Sequence, residues 1–207
     1  MVRIHQLKHN FKSTHLTYPE WEVPQGGQAV ILGNSGSGKT TLLHLIGGLL
    51  QCTSGEIVIG GERISEFGSA ELDSFRGKNI GIVFQQAHLV RSLSVAENLQ
   101  LAQYLAGSGK DSAKIKEVLH ELDIFEIRDR KIYQISQGQA QRVSIARAVI
   151  HAPKLLLADE PTASLDDENC ERVLSLLKRQ ALKTESTLII ATHDQRVKAK
   201  FNDYLSL

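Results

Sequence analysis

The sequence is short of nearly everything that would tie it to a specialised environment. It has two cysteines, Cys52 and Cys170, far apart and without metal-type spacing, so neither a disulfide framework nor a cysteine metal site is expected. Aromatic residues make up 5%, and only four prolines occur, Pro19, Pro24, Pro153 and Pro161. No internal repeat or low-complexity tract is visible. An excess of one charge sign is missing too: 24 Lys and Arg against 23 Asp and Glu leave +1 at pH 7. A polyelectrolyte such as duplex DNA demands a basic excess, so nucleic acid is set aside as a partner. Long apolar runs are also lacking. A membrane span needs about 20 apolar residues, whereas the longest apolar-leaning run, Leu42 to Leu50, contains His44, Gly47 and Gly48. The opening MVRIHQLKHNF lacks the apolar core of a signal peptide. Two lone cysteines without an export signal point to the reducing cytoplasm.

What remains is a soluble globular composition, 42% hydrophobic and 23% charged over 207 residues. That length suits one large domain or two small ones. Short apolar runs predict strands at Gln28 to Leu32, Glu56 to Ile59, Ile80 to Phe84, Lys154 to Ala158 and Thr187 to Ala191. Such continuous runs suit strands covered on both faces, as in a parallel sheet. Helical spacing predicts helices over Thr40 to Leu50, Val95 to Leu105, Ser112 to Phe125, Gly138 to His151 and Asn169 to Leu182. Strands therefore flank a mostly helical middle, from about 87 to 152. We read one α/β domain spanning 1–207 with a helical insertion.

The run from Gly33 to Thr40, GNSGSGKT, fits G-x-x-x-x-G-K-[ST] and lies between a predicted strand and a predicted helix. Glycines let backbone N–H groups turn inward around an anion, and the helix start adds its positive end. Lys39 can reach β and γ phosphates, and Thr40 offers a hydroxyl to Mg²⁺. The plain alternative is a glycine-rich turn with a chance lysine. Leu155 to Glu160, LLLADE, is an apolar strand ending in two acids. Asp159 would face Mg²⁺ through a water, and Glu160 would polarise the attacking water as general base. An ordinary acidic turn before Pro161 is the alternative. Among eight histidines, only His193, in IIATHD, sits just past a core strand, on the edge where α/β sheets bind ligands. Gln85, in IGIVFQQ, ends another core strand and could complete the Mg²⁺ shell; the adjacent Gln86 keeps that choice open. Ser136, in ISQGQ, is a plausible helix N-cap. With Gly138 it makes a second helix-start anion site, unless it is a capped helix and nothing more.

GNSGSGKTT, IGIVFQ, ISQGQAQRVSIARA, LLLADEP, ASLD and ATHD occur in the order found in ATP-binding cassette (ABC) ATPases. They resemble, respectively, that family's Walker A loop, Q-loop, signature motif, Walker B strand, D-loop and H-loop. The resemblance covers essentially the whole chain. It implies a P-loop NTPase with a RecA-like core, an N-terminal antiparallel β region and an inserted α-helical subdomain. It implies ATP and Mg²⁺ as ligands, with Asn34, Ser35, Gly36, Ser37, Gly38, Lys39, Thr40 and Thr41 holding the nucleotide. Phe11 resembles the aromatic that stacks on adenine, with Tyr18 and Trp21 as nearby rivals. The family forms a nucleotide-driven head-to-tail dimer. On that pattern Ser136, Gln137, Gly138 and Gln139 act in trans, and Asp166 lies at the dimer seam. Gln137 departs from the usual signature, replacing its first glycine.

The resemblance further implies a separate transmembrane permease, touched by the helical insertion and by roughly Ala87 to Glu97. The chain would then sit on the cytoplasmic face of the membrane. LLHLIGGL, TSGEIVIGGERI, YLAG and LADEPTASLD look like the group serving lipoprotein-release and macrolide-export permeases, with cell-division ATPases of the FtsE type as close relatives. The alternative is an ATP-driven mechanical regulator of a membrane or periplasmic partner that moves no cargo.

Overall fold

The computed structural model describes residues 1–11, 14–163 and 165–207. In chain order its elements are β1 (Val2–Asn10), β2 (His15–Thr17), β3 (Trp21–Val23), β4 (Gln28–Leu32), α1 (Lys39–Ile46), β5 (Ser54–Ile59), β6 (Glu62–Arg63), α2 (Ser69–Asn79) and β7 (Ile80–Val83). Then follow α3 (Val95–Leu105), α4 (Ser112–Glu121), α5 (Gln137–Val149), β8 (Leu155–Asp159), α6 (Asp167–Lys183), β9 (Thr187–Thr192), α7 (Gln195–Lys198) and β10 (Asp203–Ser206).

A five-stranded parallel sheet, ordered β10-β4-β9-β8-β7, forms the centre. Its strands are apolar throughout because each face meets a different core. Ala29 and Ile31, Leu155 and Leu157, and Ile189 and Ala191 pack with α1 and the antiparallel strands. The alternate residues Val30 and Leu32, Leu156 and Ala158, and Leu188 and Ile190 pack with α3 to α6. The period-2 alternation of side chains across a strand produces this division.

The second sheet is antiparallel, with β1 paired to β2, β3 and β5, and β5 paired to β6. Glu56 to Ile59 was expected in a parallel sheet; it belongs to this one. Gly60 and Gly61 turn the chain straight back into β6, so β5 has no crossover helix behind it. Opposite it, β1 carries a bulge. The register shifts between His5 and Lys8, and Gln6 adopts φ 46°. Gly55 faces the bulge at φ 95°, and a Cβ there would stand 2.4 Å from the Gln6 carbonyl oxygen.

The helices have local causes. Ser94 and Glu97 form a capping box on α3, Ser136 and Gln139 form one on α5, and Asp166 caps α6. α1 ends at Ile46 rather than Leu50, because Gly48 takes φ 64°. α4 ends at Glu121 rather than Phe125, where Asp123 turns left-handed at φ 54°. Four parallel strands deliver their carboxyl ends to one edge: β4 leads to Gly33, β7 to Gln85, β8 to Glu160 and β9 to His193. That edge is where ligands bind in open parallel sheets.

Candidate active site

Along this edge lies a cleft of about 490 Å³. Ser35, Gly36, Gly38, Lys39, Thr40 and Thr41 line one wall, and Gln85, Glu160 and His193 line the other. Phe11, with Thr14 and Leu16, forms the rim. The loop between β4 and α1 has the shape its glycines demand. Gly38 sits at φ 97° as the residue before α1, and the Tyr18 hydroxyl donates to its carbonyl at 3.2 Å. Burial pushes the Tyr18 phenol up to about 12. Tyr18 is thus a buried buttress under the loop, whereas Phe11 is 45% exposed at the mouth of the cleft. Trp21 packs against the antiparallel core. Of the candidate aromatics, Phe11 lines the cleft and Tyr18 and Trp21 do not. Asn34 and Ser37 close the loop, the Ser37 N–H donating to the Asn34 carbonyl at 3.2 Å.

Lys39 is buried, an uncommon position for an ammonium. It is held by donating to the carbonyls of Gly33 and Asn34, both at 2.9 Å. Its Nζ also lies 3.9 Å from Glu160 Oε1. Charge in a semi-enclosed, polar-lined cleft is the setting in which a phosphate is bound strongly.

Asp159 ends β8 beneath α1. The Thr40 hydroxyl donates to its Oδ1 at 3.2 Å. Burial pushes the Asp159 carboxyl above its ordinary value, against the pull of the Thr40 hydrogen bond and of Lys39. A hydroxyl and a desolvated carboxylate side by side form a hard oxygen pair, which suits Mg²⁺. Among the described residues no group of three or more His, Cys, Asp or Glu could hold a metal by itself.

Glu160 is fixed from several directions. It sits at φ 45°, and its N–H donates to the Ala191 carbonyl at 2.8 Å. Its Oε2 accepts from the Thr192 hydroxyl at 2.9 Å, and its Oε1 is 2.9 Å from His193 Nδ1. The Glu160 side chain is 12% exposed and that of His193 is 63% exposed, so the histidine stands on the solvent side of the acid. Thr192 was not singled out from the sequence, although it lies inside the ATHD motif. Its signal was adjacency to His193; its role appears only when β9 lies beside β8.

The second helix-start residues are elsewhere. Gln137 and Gly138 line a neighbouring cleft of about 590 Å³, between α5, α6 and the Gln85 segment. Ser136 accepts from the Gln139 N–H at 3.2 Å, and the Gln139 side chain accepts from the Ser136 N–H at 3.0 Å. None of the four lines the cleft that holds Lys39. Gln85 and Glu160 line both clefts. Asp166 accepts from the Asn169 N–H at 2.8 Å, and these Asn169 hydrogen bonds hold its carboxyl below the ordinary range. Ser164 of the ASLD motif lies outside the described residues.

A sequence model of the ABC transporter family matches residues 16–163. The lipoprotein-releasing system ATP-binding protein LolD of Chromohalobacter salexigens is 38% identical over 177 residues, covering 84% of this chain and 75% of that protein. The bacitracin export ATP-binding protein BceA of Halalkalibacterium halodurans is 39% identical over 174 residues, covering 83% of this chain and 69% of the relative. Among solved structures, the dimeric post-hydrolysis state of the ATP-binding cassette MJ0796, bound to ADP and Pi, superposes with a TM-score of 0.89 at 31% identity. That superposition covers 100% of this chain and 94% of the other.

Proposed function

The chain belongs to the ABC transporter family and is an ATP-hydrolysing subunit of a transport complex; from that premise we propose how its residues divide the work. Lys39 and the amides of Ser35 to Thr41 bind the β and γ phosphates, and Phe11 stacks on the adenine. Thr40 and Asp159 hold Mg²⁺, with Gln85 as the neutral ligand that engages or releases without a large change in charge. Bound there, the ion would neutralise charge on the phosphate oxygens.

Glu160 accepts the proton of a water whose oxygen attacks the γ phosphorus. The bond from that phosphorus to the β–γ bridging oxygen breaks, leaving ADP and inorganic phosphate. His193 holds Glu160 and the γ phosphate in register. The observation that carries this assignment is the clamp on Glu160: Thr192 on one oxygen, His193 and Lys39 on the other. A carboxylate so held has one orientation to offer, as a general base needs.

We assign Ser136, Gln137, Gly138 and Gln139 to the nucleotide of a second copy, with Asp166 at the seam. None of the four lines the Lys39 cleft within one chain, which supports this reading. On this reading the membrane permease is a separate chain. Among the described residues no helix is long and apolar enough to cross a membrane. An apolar groove of about 510 Å³ supports a docking place for it. That groove is lined by Leu49, Val90 and Leu105, each exposed, and it adjoins the segment after Gln85. On this reading the chain works at the cytoplasmic face of the membrane. Lipoprotein release or bacitracin export, as the named relatives are described, is the proposed kind of transport.

Replacement of Lys39 by Ala tests the nucleotide site directly. Equilibrium titration with a fluorescent ATP analogue should show binding lost by about a hundredfold or more, the cost of removing a buried charged contact to phosphate. Unchanged affinity would refute the site.

A further inference from the structure

Behind His193, the first turn of α7 carries Arg196. Its guanidinium grips Asp194 with Nε at 3.0 Å and Nη2 at 2.7 Å. The same Nη2 reaches the Leu165 carbonyl at 3.2 Å, and Nη1 reaches Asp167 at 2.5 Å. Leu165 and Asp167 flank Asp166, so one side chain ties the loop before α6 to the segment after β9. From Asp194 the chain of contacts runs inward. Its backbone N–H donates to the Thr192 hydroxyl at 3.1 Å, and that hydroxyl donates to Glu160 at 2.9 Å. Its carboxylate also accepts from the Thr162 hydroxyl at 3.3 Å. Thr162 and Thr192 are fully buried.

A role in stability alone accounts poorly for this arrangement. Asp167 is 91% exposed, and an ion pair at such a site contributes little, about 0–1 kcal/mol. The planar fork of arginine, by contrast, fixes relative position through several charge-assisted hydrogen bonds at once.

We propose that Arg196 is a positioning residue for ATP hydrolysis, locking the Asp166 loop to Glu160 through Asp194 and Thr192. Displacement of that loop when a second copy docks is thereby delivered to the general base. The coupling path is a contiguous set of hydrogen bonds with a loop at one end and the reacting carboxylate at the other. The role rests on the assignment of Glu160 and Asp166 given above.

The test uses the full chain with Arg196→Ala, Asp167→Asn and the double variant. Steady-state ATPase should show kcat down about tenfold in each single variant, as expected for a slightly misplaced catalytic group, with KM for ATP within about twofold, because neither residue lines the nucleotide cleft. The double variant should lose no more than the worse single one, since both break the same link. Thermal midpoints of Asp167→Asn and the wild type should coincide. Wild-type kcat in both single variants, with Glu160→Gln inactive, would overturn the role of Arg196 alone. Additive losses in the double variant, or a kcat loss that tracks a lowered midpoint, would also overturn it. Full activity in Glu160→Gln would instead remove the hydrolysis centre on which the role depends.

Discussion

Glu160 occupies a backbone region that side chains of its size rarely adopt, at φ 45°. Such strain persists where surrounding contacts over-determine it, and here the Ala191 carbonyl, Thr192 and His193 do so. The proposed base is therefore aimed before substrate arrives. Glu160→Gln keeps the shape and removes the proton acceptor. It should leave ATP affinity within a fewfold of wild type and reduce single-turnover hydrolysis by about 10²–10⁴-fold. Hydrolysis at the wild-type rate would move the general base elsewhere. At this scale much of the site was legible in the sequence. Lys39, Thr40, Asp159, Glu160 and His193 each stand at the end of an apolar run or inside a phosphate-loop pattern. Thr192, Tyr18 and Arg196 were not legible. Each has a partner far off in the chain, 32, 20 and 31 residues away respectively, and nothing in local spacing records a contact made through space.

The elements divide in the same way. β4, β7, β8 and β9 were readable because both faces are buried, which leaves uninterrupted apolar runs. β1 was not, although Val2 and Ile4 alternate correctly. The bulge at Gln6 shifts the next core residue to Leu7 and breaks the period. α2 escaped because it buries only Leu72, too little to imprint a helical stripe. β10 is an edge strand of four residues with a half-exposed Tyr204. The bulge also yields a prediction. Gly55→Ala would place a methyl 2.4 Å from the Gln6 carbonyl at φ 95°. It should destabilise the fold by more than about 1 kcal/mol in urea unfolding. Wild-type stability would mean that β1 and β5 are not paired in this register.

At the scale of the whole molecule, the proposed pairing of two chains gives the two helix-start sites a common explanation. None of Ser136, Gln137, Gly138 and Gln139 lines the Lys39 cleft, although Gln85 and Glu160 border both that cleft and the one beside Gln137 and Gly138. Head-to-tail pairing would bring each signature onto the other chain's nucleotide, and the solved cassette that superposes on the chain is itself dimeric. ATP would then act as the bridge, strengthening the dimer by its preferential binding to the paired state. Hydrolysis would remove the γ phosphate and with it the bridge, so dimer lifetime should follow the chemistry at Glu160. The most direct measurement is sedimentation velocity of Glu160→Gln with and without ATP and Mg²⁺. Glu160→Gln should be a monomer without nucleotide and a dimer with ATP. A monomer at saturating ATP would rule out nucleotide-bridged pairing.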